Sequence, residues 1–472
     1  MTKIHATFLS LATLFLLSSC IFIIEPEKDS NLGTQRTFRA INTSNKTWYD
    51  CPSTLRAIGN RVLVYVESTS DITYMQARAI AYEFDTNIYT KITGAFGAES
   101  DVDGNGKIII LLLDIKDDYV APSGGYVAGY FDSTHEFQYD VIENPNSNEA
   151  DMIFMDINPL EPGSSDFYET IAHEFQHLIN FTNTYLVDGR QQDIWINEGL
   201  SSAAEYIYSG EQIEWKIDYY NNNNNLNQSG TIARGNNFFV WYGYWELEDE
   251  SRDQLANYST VYLFFQWLRI HASNGTGIYK EILASNFRDY QAVTGSARLR
   301  IDEKFDEWSE LLGTWMMANI LEETDGYRGY KGQISVVAPG NNITTTADEY
   351  LAPGEAIFAP DVITQSFTPD SSGSNIIYIG LSEYGTEDRL GPSYDGTRIL
   401  VFNSNNDYEG NYELSKIPAS NPLPPASIMR AVAGGGGLLE RYKIDVRFGP
   451  GGGLALPGPV KGKPSAEKLG TK

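Results

Sequence analysis

His173-Glu174-Phe175-Gln176-His177 sets two imidazoles four residues apart with a carboxylate beside the first. On a helix, at about 100° per residue, the two histidines lie one turn and only about 40° apart. Both can therefore reach one metal ion, while Glu174, displaced around the helix, can take a proton from a water at that ion. In a shuffled 472-residue chain with five His and 62 acidic residues the pattern arises roughly one time in 150, so composition is a poor explanation for it. The flanks predict a helix: Pro162-Gly163 breaks the chain and Ser165 or Asp166 can cap. Phe167, Ile171, Phe175 and Leu178 then form an apolar stripe that points away from the histidines.

A catalytic zinc needs three protein ligands and one open position. A third histidine in the metzincin manner is excluded, because the Gly and His which that continuation demands are Asn180 and Asn183 here. His135 and His271 lack helpful spacing and read as ordinary structural or surface residues. A carboxylate is left. Trp195-Ile196-Asn197-Glu198-Gly199-Leu200-Ser201-Ser202-Ala203-Ala204-Glu205 places Glu198 and Glu205 two turns apart on one helical face. One of them can bind the metal while the other orients a ligating histidine. The small residues from Ser201 to Ala204 suit a closely packed, buried helix better than a solvated acidic face.

HEFQH followed after about twenty residues by WINEGLSSAAE resembles the gluzincin zinc metallopeptidases, in particular the hyicolysin-like neutral metallopeptidases, with a more distant likeness to the aminopeptidase N group. The resemblance implies one zinc ion bound by His173, His177 and Glu198, with Glu174 as general base and a protein or peptide as substrate. It leaves Glu205 in a supporting role. It also implies an oxyanion-stabilising tyrosine at the start of a later apolar helix, where Tyr258 stands at the matching place and Tyr262 lies one turn on. No Gly-Ala-Met-Glu-Asn-like segment precedes the motif, so nothing grips a free N-terminus and an endopeptidase is expected. The strand Met152 to Asp156 is a candidate edge for pairing with an extended substrate.

These residues must be positioned by a larger body. The expected fold is α+β: a zincin-type metallopeptidase domain, with a mixed sheet and a mainly helical lobe, followed by a β-sandwich-like C-terminal domain. Strands are predicted at 61–67, 107–114 and 151–156, and a long helix from a Ser70-Asp71 cap with Ile72, Met75, Ala79, Tyr82 and Ile88 as its stripe. The chain divides into a leader over 1–19, a tether over 20–45, the peptidase unit over 46–330, a β-rich domain over 331–433 and a Gly/Lys/Pro-rich tail over 434–472. Asp101, Asp103 and Asn105 resemble the first half of a calcium loop. Leu112 at the twelfth place, and a strand beyond it, instead favour a Gly/Asn turn.

The N-terminus combines a basic start, a short apolar run and Leu17-Ser18-Ser19-Cys20, which resembles the bacterial lipobox; an ordinary leader with an incidental cysteine is the competing reading. Acylation of Cys20 would hold the chain at a membrane through lipid. Ile21, which is not an acidic retention residue, points to the outer membrane or cell surface. Charge adds an exclusion. With 34 Lys+Arg against 62 Asp+Glu, a formal charge of -28 repels nucleic acid. A different class of function, an inactive peptidase-like surface protein acting as a binding module, conflicts with the complete His/Glu/His/Glu set.

Overall fold

The computed structural model describes residues 31–117, 119–121, 126–221 and 254–336, together with short stretches between 349 and 417. Its frame is a six-stranded sheet. In chain order the strands are β1 (Gln35–Asn42), β2 (Thr47–Ile58), β3 (Val62–Glu67), β4 (Ile108–Leu113), β5 (Gly129–Phe131) and β6 (Met152–Asp156). In space they run β1-β2-β3-β4-β6-β5, with β3, β4 and β6 parallel and the others antiparallel to their neighbours.

The run Ile108-Ile109-Ile110-Leu111-Leu112-Leu113 is buried along its whole length because each face of β4 serves a different core. Ile108, Ile110 and Leu112 join the helical side, whereas Ile109, Leu111 and Leu113 join Phe38, Leu55, Tyr65 and Phe154 on the opposite face. The two-residue period of a strand makes that division.

Two readings of this region need correction. Residues 35–42, assigned above to the tether, form β1 and pair with β2 in register from Gln35↔Thr54 to Asn42↔Thr47. Their sequence is too polar to announce a strand, and their burial comes from the partner. Similarly, β6 is not an edge, since β5 lies outside it. Three-residue β5 carries too little pattern to be seen in sequence.

Between β3 and β4 the chain forms α1 (Tyr74–Glu83), a π-helical turn (Phe84–Ile88) and α2 (Tyr89–Phe96). The cap is Thr73, in a reciprocal box with Gln76, rather than Ser70-Asp71. Met75, Ala79 and Tyr82 face solvent, while Ala77, Ile80, Phe84, Ile88, Ile92 and Phe96 make the buried stripe. Ile72 precedes the helix, so a 3.6-residue template started from it selects the wrong face of α1.

The helical lobe comprises α3 (Ser165–Asn183), α4 (Tyr185–Asp188), α5 (Ile194–Ser209), α6 (Glu214–Asn221), α7 (Gln254–His271), α8 (Gly277–Leu283), α9 (Tyr290–Arg300) and α10 (Trp308–Leu321). In the C-terminal region β7 (Glu349–Leu351), β8 (Ala356–Ala359), β9 (Ile376–Ser382), β10 (Glu387–Arg389), β11 (Thr397–Asn403) and β12 (Ser415–Ile417) are described. They form one four-stranded antiparallel sheet, β10-β9-β11-β8, and the pair β12-β7. Ile379, Leu381, Leu400 and Phe402 merge into the peptidase core, with Phe402 packed over Gly313 of α10. A second sandwich layer, and the tail over 434–472, lie outside the described residues.

His271, at the end of α7, is buried and donates from Nε2 to the Gly329 carbonyl at 2.8 Å. Burial depresses its pKa to about 4. Between pH 6.5 and 4 the unfolded chain binds a proton that this imidazole refuses, so stability falls as pH falls through that window, by about 2–3 kcal/mol at pH 4. His271→Gln keeps a donor for Gly329 and should recover much of that loss. The comparison is denaturant unfolding of both proteins at pH 7 and pH 4, and equal pH dependence would contradict the assignment.

Candidate active site

α3 begins with Ser164 as its cap, accepting from the Phe167 amide at 3.2 Å, and runs beneath the sheet against β5 and β6. Phe167, Ile171, Phe175 and Leu178 are fully buried as the stripe required. The other face, which carries His173 and His177, meets α5. On its far side α5 packs closely on α7 because position 199 lacks a side chain: a Cβ built on Gly199 would collide with the Phe265 ring of α7. Gly199 thus lets α5 be gripped between α3 and α7 with Glu198 turned toward the histidines.

There Nε2 of His173 and Nε2 of His177 are 3.1 Å apart, and Oε2 of Glu198 lies 3.5 Å from the first and 3.7 Å from the second. Tetrahedral zinc with bonds near 2.0–2.1 Å holds its ligand atoms about 3.3 Å apart, so this triangle has the right size for the ion. A second observation agrees. Glu198 is fully buried and neither of its carboxylate oxygens accepts a close hydrogen bond, an arrangement that is costly unless a cation sits beside it. His173, Glu174, His177 and Glu198 are each at most 1% exposed, which keeps bulk water from competing at the site.

Neighbouring groups fix the imidazoles. Nδ1 of His173 is 2.6 Å from Oε1 of Glu205, which also accepts from Nζ of Lys216 at 3.0 Å; Lys216 donates in turn to Ser202 Oγ at 2.8 Å. Nδ1 of His177 lies 3.0 Å from Asn197 Oδ1 and 2.9 Å from Ser201 Oγ. With Nδ1 engaged as donor, each ring directs its Nε2 lone pair into the triangle.

Charge follows from the same contacts. Burial works to lower the pKa of His173, but the Glu198 and Glu205 carboxylates beside it outweigh that and set it at about 9. Burial and then the charge on His173 hold His177 well below its ordinary value, while burial raises Glu198. Metal must displace the proton on His173, so acid opposes binding.

The expected trio is therefore brought together, and of the two carboxylates left open by spacing alone it is Glu198 that faces both Nε2 atoms. Tyr258 is buried on α7, which packs against α5. Tyr262 is committed to structure, donating to Gln212 Oε1 at 2.6 Å and accepting from the Ile213 amide at 2.9 Å. His135 is buried and its Nδ1 accepts from the Asn148 amide, in keeping with a structural role. Asp101 and Asp103 converge with Asp151, while Asn105 spends its side chain on Asp103 and the Lys107 amide. Cys20 lies outside the described residues.

Sequence reading missed Lys216 and Asn197. Lys216 had a signal, since it occupies the helical face of Ile213, Ile217 and Tyr220, a stripe in which a lysine needs a buried partner. Glu205→Gln should weaken zinc binding by about 10–100-fold, and Lys216→Met should do so less strongly. Competition with a chromophoric chelator measures both, and wild-type affinity in Glu205→Gln would remove Glu205 from this role.

No protein-family profile matches the chain. It is 31% identical over 322 residues to the neutral metalloprotease ShpI of Staphylococcus hyicus, an alignment covering 66% of this chain and 68% of the relative. Identity of that extent, joined to a zinc-sized His173/His177/Glu198 triangle on α3 and α5, places the chain in the neutral zinc metallopeptidase family.

Proposed function

We propose that the chain is an envelope-anchored endopeptidase in which Glu174 is the general base. The observation that carries the reading is the buried His173/His177/Glu198 triangle, with Glu174 adjacent to the first ligand on the same helix. Zinc held there would polarise a substrate carbonyl and make a neighbouring water more acidic. Glu174 would accept the proton of that water and return it to the leaving amine, so the base in the first half of the reaction becomes the acid in the second. Tyr258 would donate its hydroxyl to the oxygen on which charge develops, an interaction stronger in the transition state than with bound substrate. β5, the edge strand that approaches α3 at Gly129 and Thr170, would align an extended peptide through backbone hydrogen bonds.

Anchoring rests on the leader and on Leu17-Ser18-Ser19-Cys20, with acylated Cys20 holding the enzyme at the outer membrane or cell surface. No described helix is long and apolar enough to cross a membrane.

Digestion of a proteome-derived peptide library by the zinc-loaded protein, with and without chelator, tests the activity and reads its specificity. Internal cleavages lost on chelation are expected; release of single N-terminal residues alone would overturn the endopeptidase reading. Tyr258→Phe should lower kcat by about 100-fold with KM little changed, as for loss of one oxyanion donor. An unchanged kcat would show that Tyr258 only packs.

A further inference from the structure

A second constellation lies away from the zinc ligands, where the loop joining α2 to β4 meets the start of β6. Single carboxylate oxygens of Asp101, Asp103 and Asp151 lie within 4.8 Å of one another. The first two residues are exposed, whereas Asp151 is 1% exposed. Its Oδ2 accepts from the Val102 amide at 2.7 Å, but its Oδ1 is buried without a hydrogen-bond partner. Glu136, 5% exposed, repeats the arrangement: Oε2 accepts from Ser100 Oγ at 2.7 Å and Oε1 is buried with none. An uncompensated carboxylate oxygen in a buried position is costly, and two of them beside a pair of exposed aspartates need a cation or protons.

The loop already has the form of a cation cradle. Asp101 Oδ1 accepts from the Gly106 amide at 2.9 Å, and Asp103 is held by the backbone and side-chain amides of Asn105 at 3.1 Å and 2.5 Å. Asn105 therefore shapes the loop around Asp103, and the further carboxylate comes from Asp151, forty-eight residues beyond Asp103 in the chain. An all-oxygen donor set on an open loop selects a hard ion that tolerates irregular, high coordination, completed by water and backbone carbonyls.

We propose that Asp101, Asp103 and Asp151 bind a structural calcium ion, with Glu136 backing the site from the buried side. The same loop is tied to the C-terminal end of α3: the Ser100 amide donates to Thr182 Oγ1 at 3.1 Å and Asn183 Nδ2 donates to the Ala98 carbonyl at 2.9 Å. Calcium thereby clamps β6, the loop and the end of the zinc-bearing helix together. Its effect is on stability rather than chemistry.

Zinc-loaded full-length protein, freed of other cations, is melted while calcium or magnesium chloride is titrated in, beside Asp103→Asn and Asp151→Asn. The wild-type Tm should rise by about 5 °C at saturating calcium and much less with magnesium. Asp103→Asn, an exposed and isosteric change, should lose the calcium response while keeping its zinc content and its calcium-free Tm. Asp151→Asn should lose the response too, but its bond to Val102 makes it the less diagnostic variant. A wild-type Tm indifferent to calcium overturns the proposal, as does an equal rise in Asp103→Asn. Magnesium matching calcium would reduce the effect to counterion screening of an acidic chain and overturn it as well.

Discussion

Glu174→Gln should retain one zinc ion per chain and lose about three orders of magnitude in kcat, with KM nearly unchanged. The substitution preserves shape and hydrogen bonding but removes the basicity that takes a proton from the attacking water, and general acid-base catalysis contributes about 10²–10⁴-fold. The environment offers little substitute. Glu174 is buried beside His173, and both imidazoles of the motif have Nδ1 engaged with Glu205 or with Asn197 and Ser201. Bulk water is kept from the triangle by its burial, so solvent does not replace the missing base. Metal analysis and hydrolysis of an internally quenched peptide, run on the same preparation, separate loss of chemistry from loss of zinc. A rate within tenfold of wild type would remove Glu174 from proton transfer.

Glu198→Ala should act in the opposite way, abolishing zinc retention and activity together while sparing the metal-free fold. Without the ion, the wild-type carboxylate sits buried with no close hydrogen bond and with both imidazole Nε2 atoms at 3.5–3.7 Å. In the metal-free protein the protonated His173 compensates that carboxylate, and zinc takes its place when it binds. Chelation should therefore destabilise wild type by on the order of 4 kcal/mol where zinc had been present at about a thousand times its Kd. The same treatment should leave Glu198→Ala unmoved. Tight zinc binding by the variant would make another residue the third ligand. Acidification should mimic chelation, since the proton that His173 holds up to about pH 9 competes with metal.

The calcium loop and β6 meet the zinc-bearing helix α3 away from its metal ligands. The calcium and zinc tests are therefore independent: the calcium response of Tm should survive in Glu174→Gln, which has full zinc content and no activity.

What could be read in the sequence shares one property. The His173-Glu174-His177 geometry depends only on the rise and twist of one helix, which backbone hydrogen bonding sets without reference to the rest of the chain. The division of β4 between two cores follows likewise from the period of a strand. Errors arose where pairing or packing outweighed local pattern: β1 is polar until β2 pairs with it, β5 is too short to show a period, and Ile72 is buried ahead of α1 without belonging to its stripe.

The sequence by itself determined the chemistry: two histidines and a glutamate one turn apart, a carboxylate needed to complete the ligand set, and oxygen-rich side chains in the loop before β4. Tertiary structure decided the assignments. It turned Glu198 toward both Nε2 atoms and Glu205 toward Nδ1 of His173, brought Lys216 up behind Glu205, and set Asp151 beside Asp101 and Asp103. Such distances span tens of residues and depend on how closely helices cross. At the centre that closeness comes from the missing side chain of Gly199 against Phe265, a packing fact that local spacing does not contain.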